Sequence, residues 1–183
     1  MTHAGGALIN PEVVFQKIAL SPGMRVADLG CGRTGHFVFP AAKIVGDSGV
    51  VYAVEIVKNI LESIKSRCRA EGYANVQVIW SDIETVGQTP VPEKSLDACF
   101  LVNVLFLVKD KTAVLKEAAR LAKKDALVIV ADWSKNLGPL GPKPGQMLSE
   151  DELRAAAGQA GLAYQENVPI GDYHFCAIFK KMY

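Results

Sequence analysis

The chain has 183 residues, half of them hydrophobic and 21% charged, a size and composition that fit one globular domain. Its formal net charge is +1 with Lys and Arg scattered, so it lacks the electrostatic footprint of a nucleic-acid binder and suits a small or neutral partner. No stretch approaches the roughly 18 apolar residues of a membrane span, and MTHAGGALINPEV has neither the basic start nor the apolar run of a signal peptide, so a soluble, cytoplasmic protein is expected.

Asn10 before Pro11 reads as an N-cap with proline in the first helical position, opening a short helix, PEVVFQKIAL, that Ser21, Pro22 and Gly23 end. MRVADL is then a short buried strand followed at once by glycines. A helix is expected from about His36 to Val45, with Pro40 implying a kink or a late start. After the turn GDSG, VVYAVEI reads as a second strand and KNILESIKSRCRAEG as an amphipathic helix closed by Gly72.

The alternation continues with the strand VQVIW, a Pro/Gly-containing loop from Ser81 to Lys94, the strand SLDACFLV, a helix from Lys109 to Lys123 and the strand ALVIVADW. Continuous apolar strands alternating with helices imply a parallel sheet covered on both faces. The segment SKNLGPLGPKPGQML, residues 134–148, is too rich in Gly and Pro for regular structure and follows the fifth strand, a place where loops shape binding sites. Ser149 with Glu152 forms a capping box for the helix SEDELRAAAGQAG. The last strands, LAYQENV and YHFCAIFKK, are joined too closely for a parallel crossover and should pair antiparallel. Cys31, Cys68, Cys99 and Cys176 form no CxxC pair, so they read as free buried thiols rather than a zinc or redox set.

Gly30, Gly32 and Gly35 make GxGxxG directly after the first strand and before a helix. Glycines there let a ligand approach the backbone, and the helix beyond presents free N–H groups. Glu55 ends the second strand, 20 residues beyond Gly35, where a carboxylate can accept ribose hydroxyls, and Asp82 follows the third strand. All three features fall at the carboxyl edge of the sheet, where open parallel sheets bind ligands.

DLGCGRTG, YAVEI, SDIE and LDACFLVNVL resemble the ordered motifs of class I S-adenosylmethionine-dependent methyltransferases, and the chain is most similar to the small prokaryotic members akin to the ubiquinone/menaquinone-biosynthesis group. The resemblance runs from about Asn10 to the C-terminus and implies one methyltransferase domain over residues 1–183, with residues 1–20 and 134–148 as the segments available for a lid. It implies an α/β, Rossmann-like seven-stranded sheet of order 3-2-1-4-5-7-6, mostly parallel with the last strand antiparallel, and helices on both faces. It also implies that Asp28, Gly30, Cys31, Gly32 and Gly35 line the methionine part of the cofactor, with Glu55 on the ribose. Ile56 and Ile83 would enclose the adenine, with Asp82 on its amino group and Asn103 near the sulfonium and the acceptor. The family pattern is GxGxG, whereas Arg33 and Thr34 separate the last two glycines here, which leaves the contacts of Arg33, Thr34 and Gly35 open.

Methyl transfer from a sulfonium needs alignment and exclusion of water more than it needs a catalytic group, although a protonated nucleophile also needs a base, for which His is the usual candidate. His3 stands near the terminus. His36 could face the pocket or cap the helix. Tyr173 and His174 open the last strand, where alternation lets only one of the two face inward; with Asn103 they are the candidate catalytic residues. Asp132 and Trp133 close the fifth strand at the same edge, where Trp133 could equally be core. There is no DPPY or NPPY tetrapeptide of the enzymes that methylate DNA bases, no carboxylate cluster for magnesium, and no arsenic-binding cysteine set, so no metal is expected.

The expected function is methyl transfer from S-adenosylmethionine, with S-adenosylhomocysteine as product, to a small-molecule acceptor. Two other readings stay open from the sequence: a module that binds the cofactor without catalysis, and an NAD(P)-dependent oxidoreductase, because GxGxxG plus a downstream acid is also the dinucleotide fingerprint.

Overall fold

Strands that are apolar on both faces are stable only when helices cover both, and the chain meets that demand by alternation. The computed structural model describes residues 8–138, 141–143 and 145–183. His3 and residues 1–7 of the expected lid lie outside them, as do Pro139, Leu140 and Pro144 of the Gly/Pro loop. The elements in chain order are α1 (Pro11–Lys17), β1 (Arg25–Leu29), α2 (Val38–Val45), β2 (Val50–Glu55), α3 (Lys58–Glu71), β3 (Val76–Trp80), β4 (Leu96–Val102), α4 (Lys111–Leu121), β5 (Ala122–Trp133), α5 (Glu150–Gln159), β6 (Leu162–Asn167) and β7 (His174–Lys181). Among the described residues no helix is long and apolar enough to cross a membrane.

The strands form one seven-stranded sheet in the order β3-β2-β1-β4-β5-β7-β6. Neighbours from β3 to β5 are parallel, while β7 runs antiparallel to both β5 and β6, as the close spacing of the last two strands predicts. Alternate residues feed two cores. Ala27, Leu29, Cys99 and Leu101 face α4 and α5, whereas Val26, Ala53, Phe100 and Ile129 face α1, α2 and α3.

The local signals act as read. Asn10 accepts the Glu12 amide at 3.0 Å with Pro11 in the first turn, and Ser149 and Glu152 close a capping box at both ends of α5's first turn. Gly72 ends α3 with φ 77°, a left-handed conformation that costs glycine nothing. Several boundaries differ from expectation: α1 ends at Lys17 rather than Leu20, and α4 spans Lys111–Leu121 rather than 109–123 because residues 122 and 123 belong to β5. α2 begins at Val38 rather than His36, which leaves Pro40 in the first turn where its missing N–H breaks no helical bond. β5 begins at Ala122, not Ala126, because Lys123 reaches Asp97 at 2.5 Å and Lys181 donates to the Ala122 carbonyl at 2.8 Å. These charged partners anchor the start of the strand, while the register passes from Leu96 opposite Ala122 to Ala98 opposite Leu127, so the polar stretch Lys123–Asp125 forms an irregularity in the ladder.

Candidate functional site

The register that pairs Asp28 with Ala53 and Phe100, and Glu55 with Trp80, gathers the carboxyl ends of β1 to β4 at one edge. There they surround a cavity of about 430 Å³, within the size range of small-molecule sites. Asp28, Gly30, Cys31, Gly32, Glu55, Ile56, Asp82, Ile83 and Asn103 all line it, so the structure brings together residues that the sequence spreads over 75 positions.

Its floor is acidic and incompletely partnered. Asp28 is 3% exposed and its Oδ1 has no hydrogen-bond partner among the described residues. Burial, reinforced by the neighbouring charge of Glu55, pushes its pKa up to about 7. Asn103 adopts φ 55°, and its Oδ1 is likewise buried without a partner. Glu55 differs: its carboxylate accepts the amides of Ile56 at 2.9 Å, Val57 at 3.1 Å and Gly32 at 3.2 Å. Burial and the charges of Asp28 and Glu55 push the Cys31 thiol well above its ordinary value, so it stays protonated and is no nucleophile. Gly30 has φ 86°, and a Cβ there would meet Val104 at 2.6 Å, so glycine is what lets the loop after β4 close against the loop after β1.

The extra residue in the glycine loop has a definite place. Arg33 and Thr34 are exposed at the cavity. The Thr34 carbonyl accepts from Arg67 of α3 at 3.0 Å, and the Arg67 guanidinium lies 3.9 Å from the centre of the Phe39 ring. Gly35 is outside the lining; a Cβ on it would meet Phe39 at 2.7 Å, so this glycine serves the packing of α2 on α3. His36 lines the cavity and does not cap α2. Its Nε2 lies 2.6 Å from the Ile9 carbonyl, and Phe37 stands at the N-cap with no side-chain bond.

Tyr173 and His174 are not among the lining residues. His174 is buried against Trp133, with ring centres 4.3 Å apart, and neither ring nitrogen has a partner among the described residues. Burial lowers its pKa to about 4, which makes it a weak base. Trp133, 3% exposed, is core. What sequence reasoning missed is the cavity's apolar wall, formed by Phe37, Ile60, Val102, Val104, Leu107 and Val108 from three separate segments. It also missed Glu84, which lines the cavity and accepts the amides of Lys109 and Asp110, each at 2.9 Å. Asp132, buried at the end of β5, accepts the amides of Phe106 at 3.1 Å and Trp133 at 2.8 Å. Burial nonetheless pushes it up to about 6, against the pull of the Trp133, Phe106 and Leu105 amides.

A family model described as "Methyltransferase domain" matches residues 20–169. The chain belongs to that methyltransferase domain family. The demethylmenaquinone methyltransferase of Geobacillus kaustophilus is 29% identical over 124 residues, covering 68% of this chain and 51% of that protein. The aklanonic acid methyltransferase of a Streptomyces species is 37% identical over 86 residues, covering 46% of this chain and 37% of that one. The methyltransferase domain thus spans about half the length, or less, of these curated relatives. A solved S-adenosylmethionine-dependent methyltransferase from Aquifex aeolicus is 28% identical with a TM-score of 0.85, covering 96% of this chain and 91% of that one.

Membership in the methyltransferase family sets aside the nicotinamide reading of the glycine loop, and the residues present fit the family's methyl donor. Two buried oxygens without partners face one cavity, which is what an ammonium group and a sulfonium-bearing chain require of a protein.

Proposed function

We propose that this methyltransferase transfers the methyl group of S-adenosylmethionine to a small, apolar acceptor of the quinol class by in-line displacement, and that residues 1–183 act as one domain. The observation that carries the reading is the pair Asp28 Oδ1 and Asn103 Oδ1, both buried at the same cavity with no partner among the described residues. Each such oxygen costs roughly 1 to 3 kcal/mol when left unsatisfied, and a donor-rich ligand recovers that cost.

When bound, the cofactor supplies a methyl group on a positively charged sulfur, already activated for displacement. The chain's own residues then hold and align. Asp28 and Asn103 accept from the methionine end, and the backbone of Gly30, Cys31 and Gly32 lies against it. Glu55 accepts the ribose hydroxyls, Ile56 and Ile83 enclose the adenine, and Asp82 accepts from its amino group. The apolar wall of Phe37, Val102, Val104, Leu107 and Val108 excludes water and receives a flat ring. The name of the demethylmenaquinone enzyme supports an acceptor of this class. In a quinol, the ring carbon beside an ionised oxygen would be the nucleophile and would release its own proton to solvent after taking the methyl group, so alignment is the main service the protein renders. His36, tied to the Ile9 carbonyl, holds the N-terminal segment at the cavity's margin.

The test uses the whole chain with S-adenosylmethionine and 1,4-naphthohydroquinone, with release of S-adenosylhomocysteine measured against a no-acceptor control. Acceptor-dependent release of product with a methylated ring supports the reading. Tight cofactor binding without turnover across a panel of quinols and phenols would replace it with a cofactor-binding module. No binding at all would remove the donor assignment.

A further inference from the structure

The turn after β4 carries Asn103, yet little within the turn itself explains why Asn103 keeps its shape. Its φ of 55° is left-handed, a conformation that asparagine tolerates better than other non-glycine residues and that its neighbours hold here. Its Oδ1 is buried with no partner among the described residues, none of which holds the side chain by a hydrogen bond at that atom. The constraints come from β5. The Asn103 amide donates to the Ala131 carbonyl at 2.8 Å, and one residue further along β5 the Asp132 carboxylate receives the Phe106 amide at 3.1 Å while it also caps its own Trp133 amide at 2.8 Å. Between these two pins the chain turns, with the Leu107 amide donating to the Val104 carbonyl at 2.9 Å, and Val104 comes down on Gly30 of the glycine loop.

We propose that Asp132 is a positioning residue for the cofactor: by holding the amide of Phe106 it fixes the 103–106 turn, and so sets Asn103 Oδ1 in the cavity and Val104 against Gly30. The inference rests on the donor-site reading above and extends it to a residue that does not line the cavity. A carboxylate suits the task because its two oxygens accept amides on opposite sides, one from β5 and one from the turn. Asparagine cannot do the same: it has one acceptor oxygen, and its NH2 group would confront an N–H with an N–H. Asp132→Asn therefore severs one pin at unchanged volume and opens no cavity in the core.

The experiment is a double-mutant cycle on S-adenosylhomocysteine affinity, measured by calorimetry in wild type, D132N, N103A and D132N/N103A, with Tm recorded for each. D132N is expected to weaken binding about tenfold, within the coupling range for residues of one hydrogen-bond network, and to do so much less once Asn103 is already alanine. Equal losses in both backgrounds would show that Asp132 supports the fold in general and does not act through Asn103. No loss in either would remove the role altogether.

Amide exchange in the wild-type chain supplies a second measurement that requires no variant to fold. The Phe106 amide should exchange as slowly as the amides of β5 and slow further with S-adenosylhomocysteine, while exchange at the rate of an unpaired loop amide would overturn the pinning. If the ligand does not bind wild type, the donor-site reading fails, whereas the pin at Phe106 is still judged by exchange without ligand.

Discussion

Glu117 on α4 and Asp28 near the end of β1 are both withdrawn from water, yet one is saturated with donors and the other is left short of them. Glu117 is fully buried and accepts the amides of Gly87 at 2.7 Å and Thr89 at 3.0 Å, together with Arg120 at 2.7 and 2.8 Å. Burial pushes its pKa up, but the bond to Arg120 and those to Gly87 and Thr89 outweigh it and hold the group at about 2. Asp28 has burial and a like charge beside it, an oxygen with no partner, and a pKa of about 7. The contrast separates two uses of a buried charge. Glu117 spends all its acceptor capacity on fixing the loop between β3 and β4 to α4, while Asp28 keeps capacity in reserve for something the polypeptide does not provide.

Removing Glu117 should disturb the molecule most. Glu117→Ala removes the acceptor of two loop amides and of two of the four Arg120 hydrogen bonds, and it should cost about 3 to 5 kcal/mol of stability, the range for removing one partner of a buried pair. Thermal unfolding is the measurement, with Tm expected to fall by about 10 °C for a chain of this size. The pH dependence follows from a depressed carboxylate: the stabilisation by Glu117 is complete above the ordinary value of 4.5 and is lost as pH falls toward 2. A loss below about 1 kcal/mol would mean that the network around Glu117 is not structural.

Asp28 should behave with the opposite sign. A carboxyl group raised in the folded state favours its protonated form, so its contribution to stability is full below 3.8 and declines as pH rises through about 7. Asp28→Asn, which resembles the protonated form, should leave the free protein at pH 8 no less stable than wild type. It should nevertheless weaken S-adenosylhomocysteine binding by about 1 to 3 kcal/mol, the cost of a charged acceptor lost from a buried contact. Because the ligand's ammonium favours the ionised carboxyl, wild-type affinity should tighten as pH rises from 6 to 8, by at most about tenfold per unit, with a proton released on binding below pH 7. Calorimetry in buffers of different ionisation enthalpy reads that proton directly. Affinity independent of pH in wild type, or unchanged in D28N, would place the ligand's cation elsewhere.

The comparison also shows what could be read before the fold was known. Asp28, Glu55 and Asp82 were legible because each lies within two residues of the end of a short, largely apolar strand, and parallel strands bring such ends to one edge. Glu117 left a signal that went unused: it stands three residues after Val114 and four before Leu121, on the buried face of α4. The start of β5 was not legible, because Lys123, Lys124 and Asp125 break the apolar pattern, and Ala122, Lys123 and Asp125 are held by partners on β4 and β7 that lie far away in sequence. The apolar wall and the Phe106 pin share that character. They arise where separate segments meet, so no single window of the chain contains them.

His174 is the case between the two carboxylates, and it sharpens the comparison with the smallest effect. Like Asp28 it has polar atoms without partners among the described residues, but unlike Asp28 it lies outside the cavity, stacked on Trp133. If an unpartnered atom by itself marked function, His174 would rank with Asp28; if the atom must also face a cavity, His174 is a packed ring held neutral by burial, with a pKa of about 4. The second view predicts that His174→Phe, which keeps a ring on Trp133 and removes two unsatisfied nitrogens, leaves S-adenosylhomocysteine affinity unchanged. Stability should stay level or rise by less than about 1 kcal/mol, since replacing an unpaired buried polar group by an apolar one of similar shape removes a desolvation cost. Calorimetry and thermal unfolding on the same sample decide it. A rate of methyl transfer to 1,4-naphthohydroquinone that collapses in this variant while affinity and Tm hold would return His174 to the acceptor side, as its place at the start of the last strand suggests.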